Sequence, residues 1–140
     1  MPKAKLDIRA EKAAIKSVLG EYIAAVERKD LRRYGGVMDH NPGMVNFGTD
    51  ASERIVGWDL LKKAMNAQFA SLTKQRISAT FTTVALAPNG RFAWATSMWL
   101  FRAKMGKQAI RLPVRSSWVL EKRGRRWVIV HFHKSIGTAS

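Results

Sequence analysis

The stretch RFAWATSMWLFRAKMGKQAIRLPVRSSWVLEKRGRRWVIVHFHKS, residues 91–135, decides the fold of this chain. It holds three strand-like runs separated by short glycine-containing breaks, and a fourth such run precedes it. The four runs cover residues 76–87, 91–103, 109–121 and 126–135. Because short breaks of this kind join hairpin strands, the runs are predicted to be antiparallel neighbours in one sheet.

Upstream of these runs, apolar residues recur mainly at helical spacing. Helices are predicted over residues 6–27, 31–38 and 60–72, and short strands over residues 44–48 and 53–57. Asp30 and Asp59 are the predicted N-caps of the second and third helices. Helices first and a long meander last is the α+β pattern, with the helices packed on one face of the sheet. One domain over residues 1–140 is expected, with a core of about 6–137.

Both faces of the long strands are largely apolar, which is unusual for a sheet with one face in water. In the run that begins at residue 91, Trp99 and Phe101 share a side with the small Ala93 and Ala95. Aromatic residues are enriched at subunit interfaces, so this side is predicted to pack against a second copy in a homodimer. Coverage of the second face by the sheet's own curvature is the alternative.

Charge is distributed unevenly along the 140 residues, whose formal net charge is +15. Residues 1–59 hold ten basic and nine acidic side chains, whereas residues 60–140 hold fifteen basic side chains and one acidic side chain. The asymmetry predicts an anionic partner such as nucleic acid, a lipid surface or an acidic ligand. A solvated basic surface explains the same asymmetry equally well.

Several classes of protein are excluded by what the sequence lacks. Cysteine is absent, which excludes disulfide and thiolate chemistry. No apolar run approaches the ~18 residues of a membrane span, and residues 1–12 lack the apolar region of a secretory signal. A soluble cytoplasmic protein is therefore predicted. Phosphate-binding loops and dinucleotide fingerprints are also missing, and no cofactor is expected.

Three local stretches carry a resemblance to a known family. They are YIAAV (22–26) with Asp30-Leu31, FGTD (47–50) with Val56-Gly57, and WVIVHFHKS (127–135). Together with the order of elements, they resemble the nuclear transport factor 2-like superfamily. Its members include ketosteroid isomerase, the SnoaL-like cyclases and the association domain of calcium/calmodulin-dependent protein kinase II. The third stretch is most similar to that association domain.

The resemblance implies a cone-shaped, cystatin-like α+β fold, in which three N-terminal helices pack on a strongly curved antiparallel sheet. It also implies a pocket between the helices and the concave face of the sheet. A small apolar ligand with a few polar groups would occupy this pocket. If the chain is an enzyme, the implied reaction is isomerisation, dehydration or cyclisation of a carbonyl compound. The sequence leaves open whether any reaction is catalysed.

Two candidate residues come from the comparison with ketosteroid isomerase. The resemblance implies that Tyr22 donates a hydrogen bond to a developing oxyanion; a core tyrosine is the alternative. The position of the isomerase's carboxylate base falls on Asn46, and an amide cannot shuttle a proton. Steroid isomerisation by that route is therefore not expected, and Asn46 is predicted to orient a ligand or to serve as an ordinary strand residue.

His131 and His133 lie two residues apart on the last strand, so their side chains share one side of it. Both are predicted to line the pocket, with His131 as the residue that exchanges a proton. A structural hydrogen bond is the alternative for either ring. A metal site is not predicted, because a third ligand is lacking and His40 is the only other histidine.

Further candidates for binding the ligand are Trp94, Trp118 and Arg115. The two tryptophans have the parity of apolar strand faces and would wall a pocket for a flat ligand. Arginines of the resembling association domain line its pocket, and Arg115 lies near one of the matching positions. A basic hairpin tip, residues 122–126, is interpreted as solvated turn charge, because a nucleic-acid site would need interleaved exposed aromatic residues.

The sequence therefore favours a SnoaL-like protein that binds a small molecule, and two other functions stay open. One is an association module, as the last strand suggests. The other is a basic domain that binds an anionic polymer through residues 60–140.

Overall fold

A computed structural model describes residues 6–138. The helices are α1 (Ile8–Glu27), α2 (Leu31–Val37) and α3 (Trp58–Ser71). The strands are β1 (Val45–Phe47), β2 (Arg54–Val56), β3 (Thr73–Leu86), β4 (Phe92–Met105), β5 (Gln108–Arg123) and β6 (Arg126–Ser135). Each predicted element is present, and β6 has the predicted bounds. The α+β cone implied by the resemblance is confirmed, and its sheet is not closed.

The starts of the helices follow from their capping residues. Asp7 accepts a hydrogen bond from the Ala10 amide, and Asp30 accepts one from the Arg33 amide. The prediction that Asp59 caps α3 is wrong, because that helix begins two residues earlier than predicted, at Trp58, and its N-cap Gly57 has no side chain to form a cap. Gly57 has a φ of 83°, which strongly favours glycine.

The six strands form one sheet in the order β2-β1-β6-β5-β4-β3. The four long strands are antiparallel neighbours, as predicted. Strand β1 pairs with β6 in the parallel direction through Phe47 and His133, so the sheet is mixed rather than wholly antiparallel. Strand β3 forms one edge, and its register with β4 shifts twice. Lys74 and Phe81, at these shifts, have positive φ angles of 53° and 52°.

The core lies between the helices and one face of the sheet. From α1, Ile15, Leu19 and Tyr22 are buried against it. The sheet contributes large residues of alternate positions, among them Trp99 and Trp118. Burial of this apolar surface is the main stabilising contribution to such a fold.

The assignment of the two sheet faces differs from the prediction. Trp99 and Phe101 lie on the face covered by the helices and are only 5% and 9% exposed. The prediction that they form a subunit interface is therefore wrong. The exposed apolar residues of β4 have the opposite parity: Phe92, Trp94 and Met98 are 45%, 53% and 50% exposed. Alternation separates the two sets, but only the helix packing decides which set is covered.

The β5–β6 hairpin is also fastened to α1 through Glu11. Its carboxylate pairs with the Lys122 ammonium and accepts a hydrogen bond of 2.7 Å from the Trp127 indole nitrogen. The hydrogen bond from Lys122 lowers the pKa of Glu11 most, and the bond from Trp127 adds to this against the opposing effect of burial.

Among the helices of residues 6–138, none is long and apolar enough to cross a membrane.

Candidate functional site

A cavity of about 210 Å³ lies between α3, the β1–β2 arm and the concave face of the sheet. Its walls are largely apolar and include Leu61 and Met65 of α3, Phe101 and Val114 of the sheet, and Phe132 of β6. The volume is below the 300–1,000 Å³ typical of sites for drug-sized ligands. The cavity therefore suits a small, mostly apolar molecule.

Lys134 of β6 supplies the positive charge of this cavity. Its ammonium nitrogen lies 4.9 Å from the ring centroid of Tyr22, 5.3 Å from that of Trp99 and 4.7 Å from that of Phe132. The aromatic faces stabilise the cation by cation–π attraction. Within residues 6–138, Lys134 forms no ion pair. An oxygen atom of a ligand would therefore meet a cation that no carboxylate of the described chain neutralises.

Trp99 lines the same cavity and adds an indole nitrogen to its polar groups. This nitrogen is buried and has no hydrogen-bond partner among the described residues. An unpaired buried N–H costs free energy, so a ligand acceptor that reached it would be favoured. Lys134 and Trp99 both donate hydrogen bonds, and so they favour a ligand oxygen over a ligand donor.

Glu53 is the carboxylate among the described residues that line the cavity. Its Oε1 accepts a hydrogen bond of 3.0 Å from the amide of Asp50. Gln68 also lines the cavity, but its amide donates to Gln75, which in turn donates to the Val26 carbonyl. Glu53 is therefore the group that can take up a proton here, whereas Gln68 is held by the protein.

Tyr22 and Trp118 are buried in the core beside the cavity and do not line it. The Tyr22 hydroxyl lies 3.5 Å from the Tyr34 hydroxyl, and the Tyr22 ring faces Lys134. Burial, with a smaller contribution from Tyr22, raises the pKa of Tyr34 well above its ordinary value. The Trp118 ring lies 5.5 Å from that of Trp99. A direct role of Tyr22 toward an oxyanion stays a prediction.

Asn46 and His131 hold strand β1 against β6. The Asn46 side-chain oxygen accepts a hydrogen bond of 2.8 Å from the Phe132 amide, and the side chain is fully buried. His131 Nδ1 is hydrogen-bonded to the Val45 carbonyl, so this nitrogen carries the proton. Neither residue lines the cavity. Both contacts fix the β1–β2 arm, which forms one wall of it.

The remaining candidates lie on the face of the sheet away from the helices. His133 is exposed, and its ring lies 5.2 Å from that of Phe47. Arg115 is exposed opposite Met98 in the register of β4 and β5. Trp94 is half exposed on the same face. The structure thus separates these residues from the cavity and places them together on the opposite surface, which we call the outer face. Their part in ligand binding stays a prediction.

Lys134 was missed as a candidate, although the sequence carries a signal for it. On β6, Lys134 has the parity of Phe132 and the opposite parity to His131 and His133. The predicted candidates His131 and His133 lie on the other side of the strand. Glu53 had no comparable signal, because it lies in the short loop before β2, where no periodicity exists. Within residues 6–138, no group of three or more His, Cys, Asp or Glu side chains could hold a metal ion.

Comparison with known proteins identifies the family. Residues 15–139 match the SnoaL-like domain, and the chain belongs to that family. Among curated proteins, no sequence matches.

Solved structures share the fold at low sequence identity. A nuclear transport factor 2-like superfamily protein from Salmonella enterica serovar Typhimurium is 18% identical, with a TM-score of 0.85 and 96% of each chain covered. A protein described as a candidate dehydratase, from Streptomyces avermitilis, is 12% identical with a TM-score of 0.84, over 95% of this chain and 100% of the other. A candidate calcium/calmodulin-dependent protein kinase II association domain from Xanthomonas campestris is 16% identical with a TM-score of 0.77, over 100% and 94%.

Proposed function

We propose that this SnoaL-like protein binds a small, largely apolar organic molecule in the cavity between α3 and the concave sheet. One observation carries the proposal: the Lys134 ammonium stands in an apolar cavity, among aromatic rings, with no ion-pair partner within residues 6–138. Apolar pockets with a few convergent polar groups are the usual form of small-molecule sites. The ligand places an oxygen atom at Lys134 and its apolar body against Phe101 and Met65.

A reaction at this site would use Lys134 and Glu53 in different roles. Lys134 would stabilise negative charge that develops on a carbonyl oxygen. The free oxygen of Glu53 would accept the proton that leaves the carbon next to that carbonyl. Isomerisation and dehydration of a carbonyl compound both begin with this transfer, and one of the similar structures is described as a candidate dehydratase.

Replacement of Lys134 by methionine tests the proposal. A hydrogen bond to a charged group contributes about 1.5–3 kcal/mol, so we expect affinity for an aryl ketone such as acetophenone to fall about 10- to 150-fold. Lys134→Arg should retain part of the affinity. Titration calorimetry or ligand-observed NMR measures the change.

The control is Tyr22→Phe, which removes a hydroxyl next to Tyr34 but keeps the ring that faces Lys134. We expect its affinity to stay within about twofold of the unmodified protein, since Tyr22 does not line the cavity. A larger loss would instead support the oxyanion role that the resemblance implies for the Tyr22 hydroxyl. No binding of any small aryl ketone to the unmodified chain, or equal affinity of Lys134→Met, would contradict the proposal.

We propose in addition that two copies associate through the outer face. Phe47, Phe92, Trp94 and Met98 expose between 37% and 53% of their surface there. Contiguous exposed apolar surface marks interaction sites, and Trp and Met are enriched in them. The proposed interface therefore lies on the opposite side of the sheet from the one that the sequence predicted.

A charge on the outer face should separate the copies. We expect Trp94→Glu to reduce the mass measured by light scattering from twice 15.7 kDa to 15.7 kDa. Leu60→Glu is the matched control, because Leu60 of α3 is 56% exposed, close to the 53% of Trp94, but lies outside this face. A monomeric unmodified protein would refute the dimer, and a ring of many subunits would favour the association module instead.

A further inference from the structure

A second concave surface lies apart from the cavity, between α2, the start of α3 and the tip of the β5–β6 hairpin. It is an open cleft of about 840 Å³. Four basic side chains line it: Arg32, Lys62, Arg123 and Arg126. They come from four different elements, so the fold, and not a run of sequence, gathers them in one place. We call this surface the basic cleft.

One acidic residue, Asp39, lines the basic cleft and neutralises part of its charge. Its carboxylate pairs with Arg123 at 2.8 Å, and Arg123 also reaches Glu121 at 3.4 Å. Burial alone would raise the pKa of Asp39, but the hydrogen bond and charge of Arg123, together with hydrogen bonds from the backbone of Asn41 and His40, lower it. Arg32, Lys62 and Arg126 form no ion pair within residues 6–138. Three positive charges therefore remain for an anion.

The basic cleft also holds a flat aromatic ring. His40 stacks on Trp58 with a centroid distance of 4.3 Å and an interplanar angle of 7°. Its Nε2 lies 2.8 Å from the Gly35 carbonyl and therefore donates the proton. Tyr34 stacks on Trp58 in turn, at 6.3 Å and 18°. Because Trp58 covers one face of the exposed His40 ring, a further ring would stack on the opposite face.

We infer that the basic cleft binds single-stranded nucleic acid, with backbone phosphates at Arg32, Lys62 and Arg126 and one base stacked on His40. Single-strand sites combine a positively charged groove with aromatic surfaces on which bases stack, and histidine serves as such a surface. The inference assigns a binding role to three of the 25 basic side chains of the sequence. It is independent of the ligand cavity, since no residue lines both.

Two variants of equal charge test the location. Arg32→Gln/Lys62→Gln/Arg126→Gln removes the three cations of the basic cleft. Arg102→Gln/Lys104→Gln/Arg111→Gln removes three exposed cations near the turn that joins β4 and β5. This turn is at the other end of β5 from the basic cleft. Affinity for a labelled 15-nucleotide oligothymidylate is measured by fluorescence anisotropy over a range of salt concentrations.

We expect the first variant to lose at least tenfold in affinity and its logarithmic salt slope to fall by about 2, because each single-strand phosphate contact contributes about 0.7. The second should change affinity less than threefold. Equal losses would show that net charge alone binds the strand, and would overturn the inference. So would the absence of binding to the unmodified protein at low salt.

His40→Ala tests the stacked base. A stacking contact is worth 1–3 kcal/mol, so oligothymidylate affinity should fall about fivefold or more. Binding of inorganic polyphosphate should be unchanged, and His40→Phe should restore the oligothymidylate affinity. Equal losses for both polyanions would overturn the stacking contact. If a variant fails to fold, photo-cross-linking of thiouridine-containing strands to the unmodified chain decides, since cross-links outside residues 32–62 and 123–126 contradict the site.

Discussion

Trp118→Ala is expected to lower the free energy of unfolding by about 3–5 kcal/mol, the range for large aromatic residues truncated in a core. Trp118 is 1% exposed, and its ring packs against those of Trp99 and Tyr22, with centroid distances of 5.5 and 6.2 Å. Removal of the indole leaves a void beside both. Urea unfolding followed by circular dichroism measures the loss.

Trp118→Phe is the matched variant for this prediction. The Trp118 indole nitrogen is buried without a hydrogen-bond partner among the described residues. Phenylalanine removes that unpaired group and keeps most of the ring, so its cost should be less than half that of alanine. An alanine variant within about 1 kcal/mol of the unmodified protein would show that the core collapses around the void.

Asn46→Ala is expected to cost about 2–3 kcal/mol, because it leaves the buried amide of Phe132 without an acceptor. The effect should also reach the ligand cavity. Strand β1 meets β6 at a single register pair, Phe47 with His133, so the side chains of Asn46 and His131 make up much of this junction. We therefore expect the midpoint of thermal denaturation to fall and the amides of the β1–β2 arm to exchange faster in the same variant.

Asn46→Asp tests the buried position of this side chain without removing the acceptor of the Phe132 amide. Aspartate keeps an oxygen for Phe132 but places a carboxylate at a fully buried position, and burial raises the pKa of such a group. A group whose pKa is higher in the folded than in the unfolded state loses its stabilising contribution as pH rises. The free energy of unfolding of Asn46→Asp should therefore fall further below that of the unmodified protein at pH 7 than at pH 4. A difference that grows toward acid pH would contradict this assignment.

The hairpins could be predicted from the sequence because their turns depend on local chemistry. Gly90, Gly106 and Gly124 adopt φ angles of 71°, 61° and 64°, and each stands in a predicted break between strands. Bounds of β6 were predicted for the same reason, since a turn and the end of the apolar run enclose it. Local signals of this kind do not depend on which elements pack together in the folded protein.

The site could be predicted only in part, because it depends on which side of the sheet the helices cover. Alternation places Trp94 and Trp99 on opposite sides, but it does not say which of them faces α1. The parallel junction of β1 with β6 joins residues 86 positions apart and has no local signature. The junction brings Lys134 and Glu53 to the same cavity. Their positions in the sequence therefore could not predict that they line one site.

The edge strand β3 has a bearing on how this protein behaves at high concentration. An unpaired strand edge is a template on which further chains can add, and twisted or charged edges resist such growth. The two register shifts of β3, with the left-handed backbone at Lys74 and Phe81, interrupt the regular spacing of amide and carbonyl groups that an incoming strand would need. Deletions that straightened this border would be expected to promote fibrous precipitates, even if every residue of the interior were kept.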